Sequence, residues 1–159
     1  MPPTIRPANP DDPAWIIEAH GDLYAREFGF GPAFGEGIAA KMQAMLALDD
    51  PFTRLWVAEA DGVRVGSIAV WRQAEDTAFL NFVLVDPVCR GHGLAERLMS
   101  RAIAHARDHG LARLRLETYS CLEAARRLYA RMGFELAEVE PEVERFGRTF
   151  DREFWTLPL

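Results

Sequence analysis

Apolar and polar positions alternate through the middle of the chain and then change period. Thr53 to Ala60, Val63 to Trp71 and Phe79 to Val85 read as strands, rich in β-branched and aromatic residues. Asp61-Gly62 joins the first two as a two-residue hairpin turn, and the polar turn Arg72–Asp76 leads into the third, so the three form an antiparallel meander. From Leu94 the spacing becomes helical, with Leu94, Ala95, Leu98, Met99, Ala102, Ile103 and Ala106 on one stripe. Gly110, after His109, is placed to end that helix in the left-handed conformation. Leu111 to Thr118 is the next strand; a helical crossover precedes it, which predicts that it lies parallel to Phe79–Val85.

The flanks follow the same logic. Thr4–Pro7 is a short first strand, and Asp11-Asp12-Pro13 is a helix start, with carboxylates and a proline in the first turn. That helix sends Trp15, Ile16, Ala19, Leu23 and Tyr24 inward and breaks at Gly29-Phe30-Gly31-Pro32, leaving Phe28 and Phe30 exposed. A second helix runs from Phe34 to about Leu48. Ser120, with Glu123 three positions on, has the spacing of a capping box for a helix over Cys121–Met132. After Gly133 come a strand over Phe134–Val139, a polar connection Glu140–Arg148 and a last strand, Phe154–Leu157. The order β-α-α-β-β-β-α-β-α-β-β predicts an α/β (α+β) domain over 1–159, a mixed six- to seven-stranded sheet with helices on both faces.

Composition narrows the partners. A formal net charge of −6 argues against a general basic field for nucleic acid. No segment approaches bilayer length and the first residues carry no leader pattern, so the expectation is a cytoplasmic protein with no membrane partner. Cys89 and Cys121 form neither a metal-binding pair nor a disulfide framework. His105 and His109 have metal-ligand spacing but no third ligand, and read as the solvated last turn of a helix; no metal is expected.

The chemistry concentrates between strand and helix, in Asp86-Pro87-Val88-Cys89-Arg90-Gly91-His92-Gly93. Glycines let backbone N–H groups approach a ligand, the helix N-terminus favours an anion, and Arg90 offers a donor fork suited to phosphate. This is either a phosphate or pyrophosphate cradle or a plain glycine-rich connection. Gly91-x-Gly93, with Glu117 ending the next strand, imitates a dinucleotide fingerprint, but Glu96 stands where its third glycine belongs and the preceding meander leaves no room for a second half. A P-loop is excluded because no Gly-Lys-Ser/Thr follows.

Taken with Leu128-Tyr129-x-x-x-Gly133-Phe134, the loop resembles the GNAT superfamily of N-acetyltransferases. Its Q/R-x-x-G-x-G/A signature is met by Arg90, Gly93 and Ala95 or, in a second alignment, its glycines are Gly91 and Gly93. The stretches around His20–Gly29, Thr118–Arg127 and Phe146–Arg148 resemble the acetyltransferase half of proteins fused to a MarR-type winged helix, with no winged-helix segment in these residues.

The resemblance implies an acetyl-CoA-dependent N-acetyltransferase that moves an acetyl group to a primary amine by direct attack in a ternary complex. The alternative is a non-catalytic acyl-CoA-binding or partner-binding domain. It implies pantetheine along Val83-Leu84-Val85 and pyrophosphate on the N–H groups of Arg90, Gly91, His92, Gly93, Leu94 and Ala95. Ser120, Ala125 and Tyr129 are further implied cofactor contacts. Arg97, Arg126 or Arg127 could reach the 3′-phosphate, with a solvated role expected for at least two of them. Tyr129 occupies the general-acid position. Many relatives carry a Glu base where this chain has Asn81, which cannot be a base but could hold a water; Glu117 is the nearest carboxylate by topology. His20, Tyr24, Glu27 and Phe28 belong to the region that lines the acceptor pocket. The usual Asn ahead of the Tyr129 helix is Leu122 here. The acceptor is a small-molecule or peptide amine of unread identity, and a homodimer is left open.

Overall fold

Asp61 and Gly62 both take positive φ, 52° and 77°, the pair of left-handed residues that a type I′ hairpin requires. They join β2 (Arg54–Ala60) to β3 (Val63–Ala74), and β4 (Thr77–Val85) completes the meander. In the computed structural model, which describes residues 2–159, α3 (Leu94–Asp108) then crosses over to β5 (Arg113–Tyr119), parallel to β4 as the crossover predicts. β1 (Thr4–Pro7) pairs with β2, while β7 (Arg148–Pro158) and β6 (Glu135–Arg145) extend the other side. The sheet has seven strands in the order β1-β2-β3-β4-β5-β7-β6.

Each face carries its own core. α3 and α4 (Glu123–Arg131) cover one, where Leu98, Met99, Leu114, Leu116 and Tyr129 pack together. α1 (Asp12–Phe28) and α2 (Ala33–Leu46) cover the other, with Ile16, Phe34, Met42, Val57 and Tyr119. Alternation along β5 sends Leu114 and Leu116 one way and Tyr119 the other. Each wholly buried aliphatic side chain contributes about 1.5–3 kcal/mol.

Three local expectations are corrected and a fourth is extended. The segment Glu140–Arg148 is not a loop: β6 and β7 form one long hairpin about Phe146 and Gly147, both at positive φ. Its run of glutamates and Pro141 reads as a connection, but β6 is an edge strand, where a missing donor is tolerated and charge blocks further pairing. Phe30 is 3% exposed, not a surface ring, and stacks among Tyr24, Phe34, Phe146 and Phe150; Phe28 is half-buried beside it. Ser120 caps no helix. α4 starts at Glu123, and the Ser120 hydroxyl accepts the Asp151 N–H at 2.8 Å. Asp12 is also more than a helix start. Its buried carboxylate accepts from Arg6 of β1 (2.7 Å), Arg64 of β3 (2.8 Å) and the Asn9 N–H (2.7 Å), tying α1 to the sheet. The Arg6 hydrogen bond leads in holding this carboxyl down at about 2.

Candidate active site

The site begins with an irregularity in β4. Ala69 of β3 faces Asn81 and Ser67 faces Leu84, so Ile68 alone opposes Phe82 and Val83. This bulge puts Phe82 at φ 58°, a left-handed conformation that costs a bulky residue about 1–3 kcal/mol. Burial of the Phe82 ring and the Ser67 hydroxyl, donating to the Phe82 carbonyl at 2.6 Å, hold it there. Beyond the bulge β4 turns away from β5. Their last pair is Leu80 with Leu116, after which β5 pairs only with β7. The β5-facing backbone groups of β4 are thereby left out of the sheet. A cleft of about 720 Å³ opens there, lined by Val83, Leu84 and Val85 on one side and Leu122, Ala125 and Leu128 on the other.

At the mouth of the cleft lies the glycine loop. Asp86 accepts the Val88 N–H and organises a single 3₁₀ turn, Pro87–Cys89. Gly91 and Gly93 follow at φ 80° and 79°, turning the chain into α3. The Arg90 N–H is bonded to the Pro87 carbonyl, so Arg90 leaves the expected set of backbone donors. Among the described residues the N–H groups from Gly91 to Ala95 take no backbone partner and lie at the positive end of α3. A Cβ on Gly91 or Gly93 would meet nothing within 4 Å, so this cradle is open space. The His92 side chain is exposed and its backbone sits in the loop.

Other expected contacts are redistributed. Glu27 lies about two helical turns beyond His20, roughly 10 Å along α1, and lines the cleft. There it accepts both arms of the Arg90 guanidinium at 2.6 and 2.5 Å. This hydrogen bond lowers the Glu27 pKa and raises that of Arg90. Phe28 lines the same cleft. Ser120 does not line it; both its N–H and its hydroxyl are committed to Asp151. Of the three arginines, Arg97 donates to the Pro3 carbonyl and Arg126 to Glu153, while Arg127 lines the cleft.

A narrow throat of about 80 Å³ continues from the cleft where the strands part, sharing Tyr24, Val83 and Leu122 with it. His20, Asn81, Glu117, Thr118 and Tyr129 converge on this throat. Tyr129 is buried, which raises its phenol to about 12 and keeps it protonated. Burial likewise pushes the Tyr24 phenol up. Asn81 accepts the Trp71 indole N–H at 2.6 Å, so its amide NH₂ remains to donate. His20 Nδ1 lies 2.7 Å from the Ile16 carbonyl, which fixes the proton on Nδ1 and the lone pair on Nε2; burial lowers its pKa to about 4, leaving the ring neutral. Glu117 accepts from Arg152 at 2.5 Å and has Lys41 at 3.8 Å and Arg145 at 3.9 Å. Sequence reasoning passed over Thr118. It is 3% exposed and its buried hydroxyl has no partner among the described residues, just past the point where β5 loses β4. By alternation Thr118 falls on the face of β5 that Leu114 and Leu116 bury, and a polar residue in that apolar register is the sequence signal for it.

The family model for acetyltransferase (GNAT) proteins matches residues 17–134, which spans the split strands, the glycine loop and the Tyr129 helix. The chain belongs to this family. Among curated relatives, it is 40% identical over 83 residues to the uncharacterized N-acetyltransferase YjgM of Escherichia coli, covering 50% of each. It is 33% identical over 108 residues to the L-amino acid N-acyltransferase MnaT of the same organism, covering 65% of this chain and 63% of MnaT. The matched stretch is thus about half to two thirds of the length of these two proteins. Among solved structures it resembles the acetyltransferase yncA of Salmonella typhimurium, determined with acetyl-CoA (TM-score 0.77, 28% identity, 100% of this chain and 95% of that one). It shares the fold of the ribosomal-protein-alanine N-acetyltransferase of Brucella melitensis (TM-score 0.79, 23% identity, 98% and 99% covered). No helix among the described residues is long and apolar enough to cross a membrane.

Proposed function

We propose that this protein is an acetyl-CoA-dependent N-acetyltransferase acting on a primary amine by direct attack. The observation that carries the reading is the parting of β4 from β5 after Leu80, which joins an anion cradle to a throat holding Tyr129. Glycine positions with open space above them and unspent N–H groups fit a pyrophosphate, and the unpaired edge of β4 fits the amide groups of a pantetheine arm.

The donor supplies an activated acetyl thioester. Attack by the amine nitrogen forms the C–N bond as the C–S bond breaks. The nitrogen must first lose a proton, since an alkylammonium of pKa ~10 has no lone pair at neutral pH. Glu117, whose Oε1 takes the Arg152 hydrogen bond and whose Oε2 lies 3.8 Å from Lys41, receives that proton in this reading. The Asn81 amide NH₂ and β4 backbone N–H groups offer donors to the developing oxyanion. Tyr129, a phenol throughout the neutral range, gives its proton to the departing thiolate and is reprotonated by the second proton that the nitrogen sheds as the amide forms. Within the family we place the chain nearest the acetyltransferase halves of MarR-type fusions. What supports this placement is the likeness of the stretches His20–Gly29, Thr118–Arg127 and Phe146–Arg148.

Calorimetry with acetyl-CoA, CoA and NAD, paired with thiol release across an amine panel, tests the reading. Acetyl-CoA and CoA binding with amine-dependent thiol release is expected; binding without transfer to any amine would make this a binding domain. One variant follows from the loop itself. Glu27→Gln frees Arg90 for the donor's phosphates, and exposed ion pairs are worth about 0.2–1 kcal/mol, so acetyl-CoA affinity should rise up to about fivefold. Weaker binding in that variant would place Arg90 outside the cradle.

A further inference from the structure

On the side of the throat away from the cofactor cleft lies a cavity of about 320 Å³, which shares Lys41, Asn81 and Glu117 with the throat. This volume sits at the low end for small-molecule sites, roughly 300–1,000 Å³. Its walls are of two kinds. Met45, Leu48, Trp71, Phe79 and Phe154 form an apolar shelf, and Leu48 remains 42% exposed. Facing it is a charged cluster in which Lys41, Arg145 and Arg152 all share the Glu117 carboxylate. Among the described residues Glu140 pairs with Arg152 alone, at 3.2 Å, so the three cations keep a positive excess over the two carboxylates. A chain of net charge −6 would draw polycationic amines, yet its throat is guarded by cations.

We propose that this vestibule is the acceptor site and takes a free α-amino acid with an apolar side chain, an inference that rests on the acetyltransferase reading. Lys41 and Arg152 hold the carboxylate and the apolar shelf takes the side chain. The ammonium meets Glu117 at the throat, gives up its proton there, and presents nitrogen to the thioester. A zwitterion matches the alternation of Lys41, Glu117 and Arg152, whereas a diamine or polyamine brings cation against cation. The Asn81 NH₂, with its oxygen accepting from Trp71, adds a donor at the junction.

The test is binding and turnover measured side by side. Leucine and leucinamide are titrated calorimetrically into the protein saturated with CoA, and thiol release is followed with leucine, leucinamide, isopentylamine and spermidine. Leucine should bind the CoA complex and exceed the other three in kcat/KM by at least about tenfold, the worth of one charge-assisted contact. Lys41→Met should lose leucine binding by at least about tenfold, and Lys41→Arg should restore most of it. Acetyl-CoA binding by each variant reports an intact fold. Equal use of leucinamide, preference for spermidine, or leucine binding indifferent to Lys41→Met overturns the inference while leaving the acetyltransferase reading in place. Acetyl-CoA binding with no amine acetylated overturns both.

Discussion

Tyr129→Phe should lower kcat by about a hundredfold or more, the usual worth of a positioned general acid, and leave acetyl-CoA affinity within about twofold. The ring would stay: it is 6% exposed and packs at 6.1 Å from Phe134, so the phenylalanine fills the same space and only the hydroxyl is lost. Burial raises the phenol to about 12, so the active, protonated form persists through neutral pH and Tyr129 adds no descending limb to the rate profile below about pH 11. A fall in kcat and kcat/KM together would mark an interaction made only as the thiolate departs. An unchanged kcat removes Tyr129 from the chemistry.

Gly93→Trp should abolish measurable acetyl-CoA binding, by at least about a hundredfold, while the chain still folds. Nothing lies within 4 Å of a Cβ at this position, so the indole projects into the open cradle rather than into the core. The backbone penalty is that of φ 79° in a non-glycine residue, about 1–2 kcal/mol, and should appear as a modest drop in Tm. Gly66 is the useful contrast: a Cβ there would sit 2.8 Å from the Leu84 carbonyl, so that glycine serves strand approach and not a ligand. Retained acetyl-CoA binding by Gly93→Trp, measured by calorimetry, would move the pyrophosphate site elsewhere.

Much of the site was legible because its parts are local in sequence. The strand into Val85, the turn, Gly91, Gly93 and the stripe from Leu94 are consecutive, and their conformations follow from residue type alone. The same holds for the Asp61-Gly62 hairpin and the Leu128–Phe134 stretch. Distance along α1 was readable too, but not which neighbour each turn would find. His20 and Tyr24 reached the throat, while Glu27 met Arg90 across 63 positions at the mouth of the cleft.

What the chain by itself determined was the periodicity of its elements, the order of the sheet through its central meander and crossover, and the position of its glycine loop between β4 and α3. Each is a consequence of side-chain spacing or of a φ that only certain residues accept. Tertiary structure alone decided the bulge that aims β4 away from β5 and the use of Ser120 to bind Asp151 rather than a helix. It also decided that Glu140–Arg148 would pair as an edge hairpin, and that Lys41 and Arg152 would meet at Glu117. Those outcomes depend on pairing between distant segments, where the partner that satisfies a donor or a charge is chosen by packing and not by sequence neighbours.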